Sequence, residues 1–178
     1  MRVISGNLGG RFFESPHGHK THPMSEKIRG AIFNMLGDIK GLSFFDAFSG
    51  TGALAIEAVS RGAGHVTAVE LNIESFKTII INFETLGITD VVDPIRKDVK
   101  AWSRNHKDVQ FDVVLCDPPY DAVAYTLLHK LASHAKPGGL IIYSLPPGND
   151  FKLDTDTYES VSEKSYGDAN LSVYRRIV

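Results

Sequence analysis

Residues 42–71 read LSFFDAFSGTGALAIEAVSRGAGHVTAVEL, and this stretch decides the architecture. It opens strand-like over 42–47, passes through the glycine-rich FSGTG, enters the helical run ALAIEAVSR and returns to strand over 65–71. Both strands are close to continuously apolar, which is the pattern of strands covered on both faces of a parallel sheet. A right-handed crossover between parallel neighbours places every strand-to-helix loop at one edge of that sheet.

The alternation continues outward. A helix is predicted from about 73 to 86, a strand at 91–95, a short helix at 99–103, a strand at 111–116, a helix from about 123 to 134 and a strand at 140–144. Two further strands, 157–164 and 171–177, are separated by Gly167 and Asp168 with no helix between, which predicts an antiparallel edge. Upstream, Ile28, Ala31, Ile32 and Leu36 recur at helical spacing, with Ser25 as N-cap and Gly37 as stop. Residues 1–13 suit a hairpin or irregular arm, and 14–23, with Pro16, Gly18 and Pro23, a loop. The expected fold is α/β: a doubly wound, mostly parallel sheet in a single domain over 1–178, with an arm at 1–23 and a body at 24–178.

The 178 residues, 43% hydrophobic, are enough for one domain with a sizeable core. Nineteen Lys and Arg against 21 Asp and Glu leave a net charge of -2, which taken whole argues against a strongly basic nucleic-acid binder. Residues 1–30 nevertheless hold Arg2, Arg11, Lys20, Lys27 and Arg29 against Glu14 and Glu26, a net +3, while the remainder is -5. A cationic arm therefore precedes an acidic body. Cys116 is the single cysteine, which excludes an intrachain disulfide framework and a cysteine-built zinc site. HGHKTH at 17–22 has no other ligand types close by, so no metal is expected. No apolar run approaches the roughly 20 residues of a membrane span, and no signal-type start is present, so a cytoplasmic protein is expected.

Four segments carry chemistry. Asp46-Ala-Phe-Ser-Gly50-Thr-Gly52 leaves a strand and enters a helix, where glycines admit close approach of a ligand. An aspartate stands near where a dinucleotide site needs its first glycine, which favours a ligand with a cationic or amine group over a pyrophosphate. S-adenosylmethionine has that character. Glu70, 18 residues after Gly52, is placed for ribose hydroxyls, and Asp98 for an adenine amine or for capping the next helix. Asp117-Pro118-Pro119-Tyr120 follows an apolar strand. An exocyclic base amine is a poor nucleophile because its lone pair is delocalised into the ring. The Asp117 carboxylate and the Pro118 carbonyl can accept its two protons and hold it pyramidal, while Tyr120 offers a stacking face. Proline fixes φ, which sets the carbonyl direction. Cys116, inside an apolar strand, is expected to be buried rather than a nucleophile.

These residues carry a family resemblance. MRVISGNLGGR, THPMSEKIRGAIFNML, DAFSGTGALAIEAVSRGA, VEL and DPPY together resemble the RsmD family, bacterial methyltransferases acting on a guanine N2 amine of 16S ribosomal RNA. The resemblance implies a Rossmann-like class I fold with seven strands ordered 3-2-1-4-5-7-6. It implies S-adenosyl-L-methionine near Asp46, Gly50, Gly52 and Glu70, and catalysis at Asp117, Pro118 and Tyr120. It also implies an arm and first helix that grip RNA through Arg2, Arg11, His22, Lys27 and Arg29, with ribosomal RNA or the assembled small subunit as partner. Members often carry Arg-Pro-Thr where this chain has His22-Pro23-Met24. A monomer is expected. An adenine-N6 methyltransferase acting on RNA or DNA is the alternative, since the same acceptor pair serves that amine; no separate target-recognition domain is evident.

Overall fold

The computed structural model describes residues 1–15 and 24–178. In chain order the elements are α1 (Glu26–Leu36), β1 (Ser43–Asp46), α2 (Ala53–Ser60), β2 (His65–Glu70), α3 (Ile73–Leu86) and β3 (Val92–Arg96). There follow α4 (Val99–Asn105), β4 (Phe111–Cys116), α5 (Tyr125–Ala132), β5 (Ala135–Leu145), β6 (Tyr158–Tyr166) and β7 (Ala169–Arg176). The seven strands form one sheet in the order β3-β2-β1-β4-β5-β7-β6. β7 runs antiparallel to both β5 and β6, and the other neighbours are parallel.

β1 shows why the sheet is covered on both sides. Phe44 and Phe45 point to opposite faces, as successive strand residues must. Phe44 joins Phe33, Ile56, Ile79 and Phe83 beneath α1, α2 and α3, whereas Phe45 joins Trp102, Phe111, Leu128 and Tyr143 beneath α4 and α5. Both rings are fully buried, and burial of such a side chain contributes about 1.5–3 kcal/mol. The Phe45 ring stacks against both Trp102 and Phe111, at 4.5 and 5.2 Å between centroids.

The start of α1 follows the sequence signal, and the structure adds a second cap. Ser25 caps α1 by accepting from Ile28 N, and Asn72 caps α3 by accepting from Glu74 N and Ser75 N. One boundary differs from expectation. α5 stops at Ala132 and β5 already begins at Ala135, well before the predicted 140. Ala135 pairs with Phe111, and the register then jumps to Leu140 opposite Val113, so Pro137, Gly138 and Gly139 bulge out. This pairing is long-range and leaves no local apolar signature.

The described part of the arm is a hairpin fastened to the body. Val3 N donates to Arg11 O and Phe13 N to Met1 O, while Val3 and Phe13 are buried in the core. Ile4 N and Ser5 N donate to the Glu57 carboxylate at 3.0 and 3.1 Å, and Asn7 N to Ser60 O at 2.7 Å. Gly6 is required here, since a Cβ would lie 1.9 Å from Ser60 O. Asn82 on α3 ties down the far end, accepting from Glu14 N and donating to Glu14 O.

Candidate active site

Asp46 ends β1 and Cys116 ends β4, and the two strands are parallel neighbours with Asp46 opposite Leu115. β1 connects onward to β2 on one side, whereas β4 connects onward to β5 on the other. The loops after them therefore diverge, and this switch point is where open α/β sheets bind ligands. A cleft of about 990 Å³ opens there. The Ser49–Thr51 loop, Glu70, Asp98, Asp117 to Tyr120 and Ser144 all border it.

The Gly-rich loop is built around two carboxylates. Gly50 has φ +56° and open space where a Cβ would stand. Its N–H donates to Glu70 Oε2 at 2.7 Å, while Asn72 N donates to Glu70 Oε1 at 2.6 Å. Each carboxylate oxygen keeps further acceptor capacity for a hydroxyl. Gly52 serves packing as well as the turn: at φ +79° a Cβ would meet the Phe83 ring at 2.8 Å. Asp46 is fully buried; its Oδ2 accepts from Ser49 Oγ at 2.8 Å, and its Oδ1 has no partner among the described residues. Burial raises the Asp46 carboxyl to about 7, opposed by the Ser49 hydrogen bond and reinforced by the charges of Asp117 and Glu70. Asp98 caps α4, accepting from Ala101 N at 2.9 Å, while also bordering the cleft.

Across the cleft, Pro118 is buried, Asp117 half-buried and Tyr120 exposed. Burial pushes the Asp117 carboxyl up to about 6, against a hydrogen bond from Ser144. Burial likewise raises the Tyr120 phenol to about 12. Ser144, near the end of β5, belongs to no motif. Its signal is register: Tyr143 pairs with Cys116, so the next residue stands beside Asp117. Asp168, on the turn between β6 and β7, and Lys97 also reach the cleft without any sequence signature. Cys116 is buried, and burial together with the charges of Asp46 and Asp117 drives its thiol well above the usual range, which keeps it from acting as a thiolate.

The cations expected on the RNA side divide. Arg2 is exposed and pairs with Glu26 at 3.0 Å. Arg11 is exposed, with Nη1 donating to Leu86 O at 3.4 Å. Lys27 is exposed, its ammonium 5.9 Å from the Tyr166 ring centroid. Arg29 is a correction: it is fully buried, with Nε 3.5 Å from Glu57 and Nη2 donating to Arg2 O at 2.5 Å. Glu57 is itself buried and draws in Arg61 at 2.8 Å, so Arg29 anchors the hairpin and cannot reach a phosphate. The helical period placed Arg29 next to Ile28 but carried no sign of a buried acid 28 residues away. His22 lies outside the described residues, as do His17 and His19.

The strand order and the switch-point cleft define a Rossmann-like class I S-adenosylmethionine-dependent methyltransferase fold. Within that class, the family described as conserved hypothetical protein 95 matches residues 1–175, and the chain belongs to it, the RsmD family. YlbH of Bacillus subtilis is 35% identical over 123 residues, covering 67% of each chain. Ribosomal RNA small subunit methyltransferase D of Buchnera aphidicola is 34% identical over 119 residues, covering 66% of this chain and 62% of that one. The aligned stretch thus falls short of two thirds of the Buchnera relative. The solved structure of yhhF from Escherichia coli matches with a TM-score of 0.87 at 24% identity, over 99% of this chain and 98% of that one. Among the described residues, no helix is long and apolar enough to cross a membrane.

Proposed function

We propose that this chain methylates the N2 amine of a guanine in small-subunit ribosomal RNA, with S-adenosylmethionine as donor. One observation carries the reading: the Asp117-Pro118-Pro119-Tyr120 turn faces the Ser49–Thr51 loop and Glu70 across a single cleft, with Asp46 buried directly beneath that loop. The pocket suits the donor. The unpartnered Asp46 Oδ1 lacks a hydrogen-bond donor, the surrounding carboxylates favour a cation, and nothing obstructs the cleft above Gly50. Asp46 and Gly50 would hold the amino-acid end, and Glu70 the ribose hydroxyls. The bound donor supplies an electrophilic methyl group on a sulfonium.

The chain's own residues orient the acceptor. Tyr120 stacks the flipped base, and the Asp117 carboxylate and Pro118 carbonyl each accept one amine hydrogen. The nitrogen lone pair is thereby freed from the ring and aimed at the methyl carbon. Transfer of the methyl group, with its C–S bond broken and an N–C bond made, would leave positive charge on the nitrogen. Asp117 stabilises that charge and takes the proton that leaves. Positioning and electrostatics supply the acceleration, with no covalent nucleophile on the enzyme.

The test is to incubate the protein with labelled donor and under-modified small subunits, then resolve the nucleosides by mass spectrometry. N2-methylguanosine is expected. N6-methyladenosine instead would establish the adenine alternative, and no methylated nucleoside from protein that binds S-adenosylhomocysteine would overturn the reading.

A further inference from the structure

Five cations lie between residues 96 and 107 (Arg96, Lys97, Lys100, Arg104 and Lys107) against one acid, Asp98. The overall charge split at residue 30 hides them, because they sit within the acidic body; outside residues 96–107 the rest of that body is -9. Asp98 is already engaged in capping α4. None of the five cations joins an ion pair among the described residues, whereas Arg2, Arg61, Lys77, Lys136 and Lys152 each have a carboxylate within 3.0 Å.

Their placement forms a stripe. Arg96 ends β3, Lys97 borders the cleft, and Lys100 and Arg104 are four apart on the exposed side of α4. The other side of α4 is pinned by Val99, Trp102 and Ser103, which are buried. Lys107 continues just past the helix. A cation in the last turn complements the helix dipole, which accounts for Arg104 alone. A merely solvated face has no need of four unpaired cations in succession leading away from a cleft whose charged side chains, Lys97 apart, are all acidic.

We infer that this stripe is a docking surface for the phosphate backbone of the RNA substrate, an inference that rests on the proposed function. Charge complementarity selects the occupant: a polyanion matches unpaired Arg and Lys spaced along an exposed ridge, and phosphate contacts position a substrate without reading its sequence. Continuity supports it, because Lys97 joins the ridge to the cleft in which the base is placed. The hairpin packs with the α1, α2 and α3 layer and α4 with the opposite layer. RNA held by both would cross the sheet edge where Tyr120 stands.

The experiment replaces Arg96, Lys100, Arg104 and Lys107 together with alanine in the full chain, leaving Lys97 in place. RNA affinity is read directly by filter retention across a salt series, alongside methylation kinetics and S-adenosylhomocysteine binding. Expected are at least a tenfold weaker RNA affinity at low salt, a KM raised to match, kcat within about twofold, and unchanged S-adenosylhomocysteine affinity. The slope of log affinity against log salt should become shallower by about 3, from roughly 0.7 per phosphate contact on single strands. Wild-type affinity and slope in the variant would overturn the inference, as would a loss of kcat with a wild-type slope. Intact RNA affinity with activity lost only on assembled subunits would overturn it in favour of a protein contact. Filter retention is independent of which nucleoside is methylated, so failure of the proposed function is seen separately in the product analysis.

Discussion

The Tyr120 hydroxyl stands 2.8 Å from Ser144 Oγ, linking the turn after β4 to the end of β5. This bond fixes the rotation of an otherwise exposed ring, and the same serine opposes the rise that burial imposes on the Asp117 carboxyl. Ser144→Ala should therefore loosen the stacking platform while leaving S-adenosylhomocysteine affinity within about twofold. A fall in kcat on the order of tenfold is expected, with rescue by Ser144→Thr. Steady-state kinetics of the two variants, with calorimetry of the product, check it.

Catalysis needs Asp117 as a carboxylate, and its folded-state value is raised to about 6. Activity should accordingly rise with pH through about 6 and level off above it. Ser144 opposes the rise, so Ser144→Ala should move the acidic limb of the kcat profile upward. Asp117→Asn should lower kcat by about a hundredfold or more, with cofactor binding largely retained. A profile of kcat from pH 5 to 8 for each protein tests all three statements.

Asp46 is raised to about 7 by burial, so the folded state holds a proton that the unfolded chain releases near 4. Between those values the native state binds more protons, and stability falls as pH rises. Asp46→Asn removes that cost. At pH 8 it should stabilise the ligand-free protein by on the order of 4 kcal/mol, or roughly 8–16 °C in Tm, while weakening S-adenosylhomocysteine binding. Melting curves at pH 5 and 8 should show a gain at both, clearly larger at the higher pH.

Glu57 holds together Arg29, Arg61 and the amides of Ile4 and Ser5. Removing it leaves an uncompensated buried guanidinium, a loss of about 3–5 kcal/mol. Glu57→Ala should lower Tm steeply, and hydrogen exchange at Ile4 and Ser5 should accelerate before the β-sheet amides do.

Gly50 and Gly52 differ in what surrounds them. Gly52→Ala meets the Phe83 ring at 2.8 Å in addition to its positive φ, whereas Gly50→Ala carries only the backbone strain. Denaturant melts should show Gly52→Ala less stable than Gly50→Ala by about 1–3 kcal/mol.

The order and kind of the elements, the parallel sheet with its antiparallel edge, and the two loops that form the cleft were legible in the chain. Periodicity and caps are local: Ser25 accepts from an amide only three residues on. The start of β5 at Ala135 was not legible, because a bulge opposite Phe111 sets it rather than any property of residues 135–139. The tertiary structure alone decided what each polar side chain faces. It buried Arg29 against Glu57, set Ser144 beside Tyr120 and brought Lys97 to the border of the cleft. A side chain's charge state and role depend on burial and on partners tens of residues away, and only the folded packing of α-helices against the sheet brings those together.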